Sequence, residues 1–356
     1  MNYFAHLTVG LFCAAGLMLA PLVIAQDDCS DVLQSRIQEV ETEAKSILTE
    51  VARRHLLLIN DAKKQLVESY FVRLRYQTQY LAGLPSSNDL ITMRDTPKYL
   101  RTYRFHHADL ESFMRNSGLQ DIILADLTGK ITYSTMNRFT GQAALVDAPY
   151  AETGLGKAFQ GALKSTAGEV ILADLSMLPE RDAPAAFAAA PVFSGTTQIG
   201  VVIVQWPISE INHLMSTRPW NAELPQADIY GDTVETYIVS ADMTVRSNPR
   251  MLVEKADNTL EKVDAGGLMS TEAIQTIRQT KSGVGLLQVD TPGVRNALSG
   301  GTGYDLYDNY RGEFVLSAYA PINVPGLSWA VLSEMEEASF LADMARIQKK
   351  LKPLCQ

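Results

Sequence analysis

The sequence predicts an α+β chain in which a long N-terminal helix carries two modules built on antiparallel sheets, with a short helix closing the C-terminus. Three observations predict it: a heptad-like apolar repeat that begins soon after residue 30, a switch to strand periodicity near residue 121, and a second occurrence downstream of the same strand, turn and strand pattern.

The first 25 residues stand apart. Leu7 to Ala25 is apolar almost without interruption, and no Lys, Arg, Asp or Glu precedes Asp27. Val23-Ile24-Ala25 supplies the small residues that a signal peptidase reads, so cleavage after Ala25 is expected. The competing reading is a retained anchor, because the run approaches the roughly 20 apolar residues that cross a bilayer. Both readings place the remainder outside the cytoplasmic membrane, in the periplasm. Later apolar runs such as Gly200 to Trp206 have only strand length.

The 356 residues include 46% hydrophobic side chains, enough for one or two cores, and a net charge of −9 argues against nucleic acid as a partner. Cys13 lies in the export segment, which leaves Cys29 and Cys355 at the extremes of the mature chain. In an oxidising compartment two such thiols are expected to pair. The chain-entropy argument gives such a bridge roughly 4 to 5 kcal/mol if the termini already meet. Free thiols, or a bridge between two chains, are the other readings.

Residues 26–84 read as one long helix. Leu33, Ile37, Val40, Ala44, Ile47 and Val51 recur at spacings of 4, 3, 4, 3 and 4, and the seam continues less strictly through Leu58, Ala62, Leu66 and Tyr70. Gly83-Leu84-Pro85 stops it. Such a helix either packs on its own protein or forms a spine shared with a partner.

Residues 85–218 read as the first module. Asp121 to Asp126 and Ile131 to Thr135 form a hairpin, Gly154 to Leu163 a helix, and Gly168 to Leu175, Ala185 to Phe193 and Gly200 to Ile208 further strands. Residues 219–335 repeat the theme, with strands expected at Thr236 to Asp242, Gly285 to Val289, Phe314 to Ala320 and Ser328 to Glu334. Phe187 to Phe193 with Gly200 to Glu210, and Leu316 to Ile322 with Leu327 to Glu337, share one order: a strand ending in Ala-Pro, a Gly-containing turn, a second apolar strand and an acidic helix start. This reads as an internal duplication. Residues 336–356 end on a stripe of Phe340, Leu341, Met344, Ile347 and Leu351.

Val245-Arg-Ser-Asn-Pro-Arg250, Tyr307-Asp-Asn-Tyr-Arg-Gly312, Ser317-Ala-Tyr-Ala-Pro-Ile322 and Gly326-Leu-Ser-Trp-Ala-Val-Leu-Ser-Glu334 follow one another in an order that resembles the double Cache (dCache, PAS-like) sensor region of bacterial chemoreceptors and membrane nucleotide cyclases. Pro149 to Leu155 and Ala185 to Phe193 resemble the membrane-distal unit of that group. The resemblance implies a non-catalytic, cofactor-free periplasmic module that holds a small molecule and passes ligand state to a membrane receptor or cyclase partner, with a homodimer through the long helix as a further expectation. The chain departs from the pattern in ending at Gln356 without an output domain, which calls for a partner. An interaction module acting through its helix without ligand is the alternative.

The resemblance places a ligand pocket on the inner sheet face and flanking loops of the first module. Tyr133, Tyr150, Asp174, Phe187 and Trp206 are the residues singled out there, as aromatic walls around one fixed carboxylate that would suit an amine. Amino-acid-binding members carry an Arg-x-Trp pair where this chain has Arg138-Phe139-Thr140, which argues against an amino acid ligand. Arg246, Arg250, Asp308, Tyr310 and Arg311 match positions expected to be structural, with Arg246 and Asp308 as an ion pair. His106 and His107 point about 100° apart on a helix and do not make a metal site, even with Glu111 one turn from His107. Gly300-Gly301-Thr302-Gly303 lacks the Lys-Ser/Thr of a phosphate loop, and no G-x-S-x-G motif occurs.

Overall fold

The computed structural model describes residues 26–138, 144–179, 184–216, 234–267, 269–342 and 344. Residues 1–25, the side chain of Cys29, Cys355, Phe139-Thr140, the boundary near residues 218–219, and Ile347 and Leu351 of the C-terminal stripe lie outside the described residues. The chain divides into two compact units, residues 49–340 and residues 1–48 with 341–356. No helix among the described residues is long and apolar enough to cross a membrane.

Helix α1 runs Gln26–Ala82, uninterrupted because no Gly or Pro occurs within it. In the smaller unit Val40 and Ile47 are exposed while Ala44 is buried, and Arg36 pairs with Glu39 at 2.8 Å. In the larger unit α1 is followed by α2 (Pro85–Thr92), started by Pro85, whose missing N–H costs nothing in a first turn. Helix α3 (Tyr99–Ser117) ends on Gly118 at φ +71°, with the Leu119 amide returning to the Met114 carbonyl at 3.0 Å.

The first module is a five-stranded antiparallel sheet in the order β2-β1-β5-β4-β3, built from β1 (Asp121–Asp126), β2 (Ile131–Ser134), β3 (Ile171–Ser176), β4 (Ala185–Ser194) and β5 (Thr197–Trp206). Helix α4 (Gly154–Leu163) lies between β2 and β3 in the chain, and α5 (Ile208–Ser216) follows β5. The second module is a four-stranded sheet in the order β6-β9-β8-β7, from β6 (Glu235–Ser240), β7 (Gly303–Asp308), β8 (Phe314–Ile322) and β9 (Trp329–Glu336). Its helices are α6 (Arg250–Glu254), α7 (Ala256–Ala265), α8 (Thr271–Thr280) and α9 (Pro292–Leu298), and α10 (Glu337–Phe340) follows β9.

Without β2 the two sheets have the same strand order, and local detail repeats with it. Asp126 accepts from the amide and hydroxyl of Thr128 at 2.8 and 2.6 Å, and Asp242 does the same for Thr244 at 2.9 and 2.8 Å. Pro191 and Pro321 each sit two residues past the last strand residue paired to the outer neighbour, Ala189 with Ile171 and Tyr319 with Gly303. Their missing donors therefore interrupt no ladder.

Two sequence expectations fail in the second module. Gly285 to Val289 is not a strand: Gly285 takes φ +73°, and only the single bridge Thr244–Gln288 forms there. The sheet instead acquires β7, which the pattern hides because this edge strand leaves Tyr304, Asp305 and Leu306 exposed.

The helix seam also differs from the one expected. Within residues 49–82 the buried positions are Ala52, Leu56, Asn60, Lys63, Val67, Tyr70, Phe71, Leu74, Thr78 and Leu81, whereas Val51, Leu58 and Leu66 are exposed. Two polar residues disguise the true seam. Asn60 donates to the Ala318 and Val331 carbonyls at 3.0 and 3.1 Å, and Lys63 to the Leu214 carbonyl at 2.6 Å. These bonds seat α1 on the strands of the second module and the end of α5. Further along, Arg75 reaches the Val170 and Pro325 carbonyls at 2.9 and 2.8 Å, one from each module.

One core joins the helix to both sheets. Phe71 packs edge-on against Trp206 at 5.3 Å and Trp329 at 5.5 Å, and the two indoles meet at 6.2 Å. A second cluster fills the α4 face of the first sheet and a third the far face of the second sheet.

Candidate functional site

Strand alternation sorts the first sheet into two surfaces. Ile122, Leu124, Tyr133, Ala186, Ala188, Val202, Val204 and Trp206 join the helix core, while Ile123, Ile131, Phe187, Ala189, Val201 and Ile203 face α4. The register puts Ser134 opposite Ile123 and Gln205 opposite Asp121, so three polar side chains share the α4 face with Phe187. Asp121 is buried, accepting from Ser134 Oγ at 2.8 Å and the Met136 amide at 3.2 Å. Burial pushes its carboxyl above the ordinary range, against the pull of those bonds.

The loop before α4 closes this face. Thr153 caps the helix by accepting from the Gly156 amide at 3.3 Å and donates to the Tyr150 carbonyl at 2.6 Å. The Gly154 amide meets Ser176 Oγ on β3 at 2.7 Å. Gly156 is demanded by the turn, since a Cβ there would stand 2.2 Å from the Tyr150 carbonyl oxygen. Tyr150 is thereby held in the same apolar cluster as Phe187.

The five residues expected to form one pocket occupy three places. Tyr150 and Phe187 share the α4 face. Tyr133 and Trp206 are core residues on the opposite face. Tyr133 shares a 3.0 Å hydrogen bond with His107, which stacks on Tyr103 at 4.7 Å, and the Trp206 indole N–H is buried without a hydrogen-bond partner. Asp174 faces the second module. It accepts from Arg246 Nε at 2.9 Å, Ser240 Oγ at 2.9 Å and Trp329 Nε1 at 3.0 Å, so its carboxylate is occupied by the protein itself. A one-residue difference in strand parity separates these outcomes, and Asp121, Ser134 and Gln205 escaped the sequence reading for the same reason. The signal was present in Asp121, a carboxylate two residues from Ile123 at the start of an otherwise apolar strand.

Arg246 does not pair with Asp308, which is exposed at the end of β7. It pairs instead with Asp174 and with Asp242 at 2.8 Å, one turn of backbone away. Both carboxylates hold the guanidinium charged against the burial that opposes it. Arg250 pairs with Glu254 at 2.8 Å, Tyr310 donates to Glu235 at 3.2 Å, and Arg311 pairs with Glu336 at 3.0 Å. His106 meets Asp89 at 3.1 Å, and no group of three metal-ligating side chains occurs among the described residues. A hollow of about 190 Å³ lies beside the second sheet, lined by Ala297, Leu298, Gly300, Pro321, Ile322, Leu327, Ser328 and Trp329.

A long helix bearing two sheets of matching order defines the double Cache class of sensory domains, and that is the fold of this chain. Among solved structures it is similar to the ligand-binding domain of the Campylobacter jejuni chemoreceptor Tlp3 in complex with L-valine, at 13% identity and TM-score 0.52, covering 83% of this chain and 97% of that one. The Tlp3 sensory domain with isoleucine bound gives 13% identity and TM-score 0.53 over the same shares of the two chains. No protein-family model and no curated protein matches the sequence.

Proposed function

We propose that this chain is a periplasmic sensing domain of the double Cache kind that binds a small molecule on the α4 face of its first module and passes ligand state to a membrane partner. The observation that carries the reading is the α4 face itself: Tyr150 and Phe187 supply apolar wall, and Asp121, Ser134 and Gln205 supply polar groups beside it. That the neighbouring Tlp3 domain takes L-valine and isoleucine supports a small organic ligand on the same fold. The acidic group on this face favours a ligand with an amine or other donor.

A calorimetric and thermal-shift screen of the purified chain against amines, amino acids, carboxylates and nucleobases tests it. A ligand that saturates, and that Phe187→Ala or Tyr150→Ala weakens tenfold or more, supports the reading. A flat response across all four classes overturns it. The second reading, an interaction module working through its helix, is favoured by the outward seam of α1, where Leu58, Val72, Tyr76 and Tyr80 are 72, 53, 68 and 57% exposed. A homodimer through this seam is compatible with either role.

A further inference from the structure

Helix α3 buries one face and turns outward another whose charge runs against that of the chain. Leu110 and Met114 join the helix core, with Tyr99, Tyr103 and Phe113 packed against it. Lys98 at the N-cap, Leu100, Arg101, Arg104 and Phe105 are all exposed, Leu100 at 70% and Phe105 at 74%. At about 100° per residue the last four follow one another around the axis as Leu100, Arg104, Arg101 and Phe105, across an arc of about 140°. Two guanidiniums therefore lie side by side between two apolar flanks.

No carboxylate answers these cations. Among the described residues the side chains of Lys98, Arg101 and Arg104 make no ion pair, hydrogen bond or ring contact. Exposed arginines elsewhere do: Arg54 meets Glu50 at 2.6 Å, Arg115 meets Glu111 at 2.8 Å and Arg295 meets Asp290 at 2.6 Å. The acids around the face are engaged, Asp89 with His106 at 3.1 Å and Asp95 with Lys130 at 2.9 Å. Asp109, exposed one turn past Phe105, lies about 12 Å along the axis from Arg101. Between Leu90 and Ala108 the charged residues other than histidine are Arg94, Lys98, Arg101 and Arg104 against Asp95, in a chain of net charge −9. This arrangement works against the helix itself. Lys98, Arg101 and Arg104 follow at steps of three, where like charges repel, and no acid in the first turn offsets them. An anion supplied from outside relieves that repulsion.

We propose that the outer face of α3 is a docking surface for an acidic, amphipathic segment of a partner protein. Its carboxylates meet Arg101 and Arg104, and its apolar side chains rest on Leu100 and Phe105. Charge complementarity carries the choice of occupant. An anionic membrane is a poorer match, because an interfacial helix offers a continuous apolar face with its cations outside it, whereas here the cations hold the centre. The negative charge of the rest of the chain turns an acidic partner away from other approaches and so fixes where it lands. The inference stands apart from the ligand reading, since α4 packs on the opposite side of the first sheet.

The test is fluorescence anisotropy of the full chain with two labelled peptides, one of repeated Leu-Glu-Glu-Leu and one of repeated Leu-Gln-Gln-Leu, beside sedimentation with phosphatidylglycerol vesicles. The Glu peptide is expected to saturate and to bind about tenfold tighter than the Gln peptide. Its affinity should fall about tenfold in roughly 0.5 M salt, as exposed charges are screened. Arg101→Gln with Arg104→Gln should weaken it about tenfold or more, and Leu100→Ser with Phe105→Ser about fivefold to tenfold. Both double variants should keep the urea midpoint of the unaltered chain, because all four side chains are exposed. Arg278→Gln with Arg295→Gln, exposed arginines of the second module, should leave the affinity unchanged. The proposal is overturned by no saturable binding of the Glu peptide, whether or not the vesicles bind. Equal affinity for the two peptides overturns it too, as does an Arg101 and Arg104 variant that binds as before or loses no more than the second-module variant.

Discussion

Replacing Asp174 with Ala removes the one carboxylate through which the first module receives three side-chain donors of the second. The Arg246 guanidinium is only 4% exposed and keeps one charged partner, Asp242, itself half in solvent, beside the carbonyl and hydroxyl of Thr244 at 3.1 and 2.6 Å. Breaking one arm of a buried pair costs about 3–5 kcal/mol when the partner is left bare, and the surviving Asp242 places this arm at the low end. Trp329 Nε1 loses its acceptor as well, for about 1–3 kcal/mol, whereas Ser240 Oγ retains the Ser328 carbonyl at 3.3 Å. Together these predict a loss of about 4–6 kcal/mol in urea unfolding followed by fluorescence, with Trp206 and Trp329 reporting from the junction. Arg246→Met in the Asp174→Ala background should recover part of the loss, giving a coupling of about 1.5–3 kcal/mol in a double-mutant cycle. A loss under about 1 kcal/mol, or strict additivity in the cycle, would refute the assignment of Asp174 as a clamp and return it to the pool of ligand-contacting residues.

Phe71→Ala should cost about 3–5 kcal/mol in the same assay, because the ring fills the space between two indoles and cannot be replaced by collapse of either sheet. Stability should fall as pH rises from about 4.5 to 7: the folded state keeps a proton on Glu334 that the unfolded chain has released, so the native carboxyl favours the acid side by on the order of 3 kcal/mol. Glu334→Gln should flatten that slope, as unfolding at pH 5 and pH 8 would show. Gly156→Ala should destabilise by more than about 2 kcal/mol and release Tyr150 from its cluster, measured by hydrogen exchange in residues 145–163. Leu58→Glu with Tyr76→Glu should convert any dimer to monomer in sedimentation without lowering the unfolding free energy, since both side chains are already exposed.

The α+β class, the long helix, both hairpins and the duplication were legible because each rests on local periodicity and turn chemistry that repeat in the chain: Asp126 with Thr128, Asp242 with Thr244, and a proline in each second-from-last strand. Strand β7 was not, since an edge strand that leaves its apolar side chains in solvent carries no alternation to read. The helix seam held at Ala44 and Tyr70 but was misread at Val51, Leu58 and Leu66, because Asn60 and Lys63 are buried through carbonyls of distant strands, a satisfaction that no sequence window contains.

The candidate site shows the same division. Sequence alone determined that Tyr133, Phe187 and Trp206 lie on strands and that Tyr150 precedes a helix. Only the tertiary structure decided which face each strand residue occupies, and the β-bulges near Leu124 and Ala173 move that parity locally. Asp174 became a junction residue because Arg246, Ser240 and Trp329, each more than 60 positions away, converge on it. Glu235 and Glu334, nearly a hundred residues apart, became neighbours through the pairing of β6 with β9. Local propensity acts over a few residues, whereas burial, charge pairing and the closure of a site are set by register between strands remote in the chain.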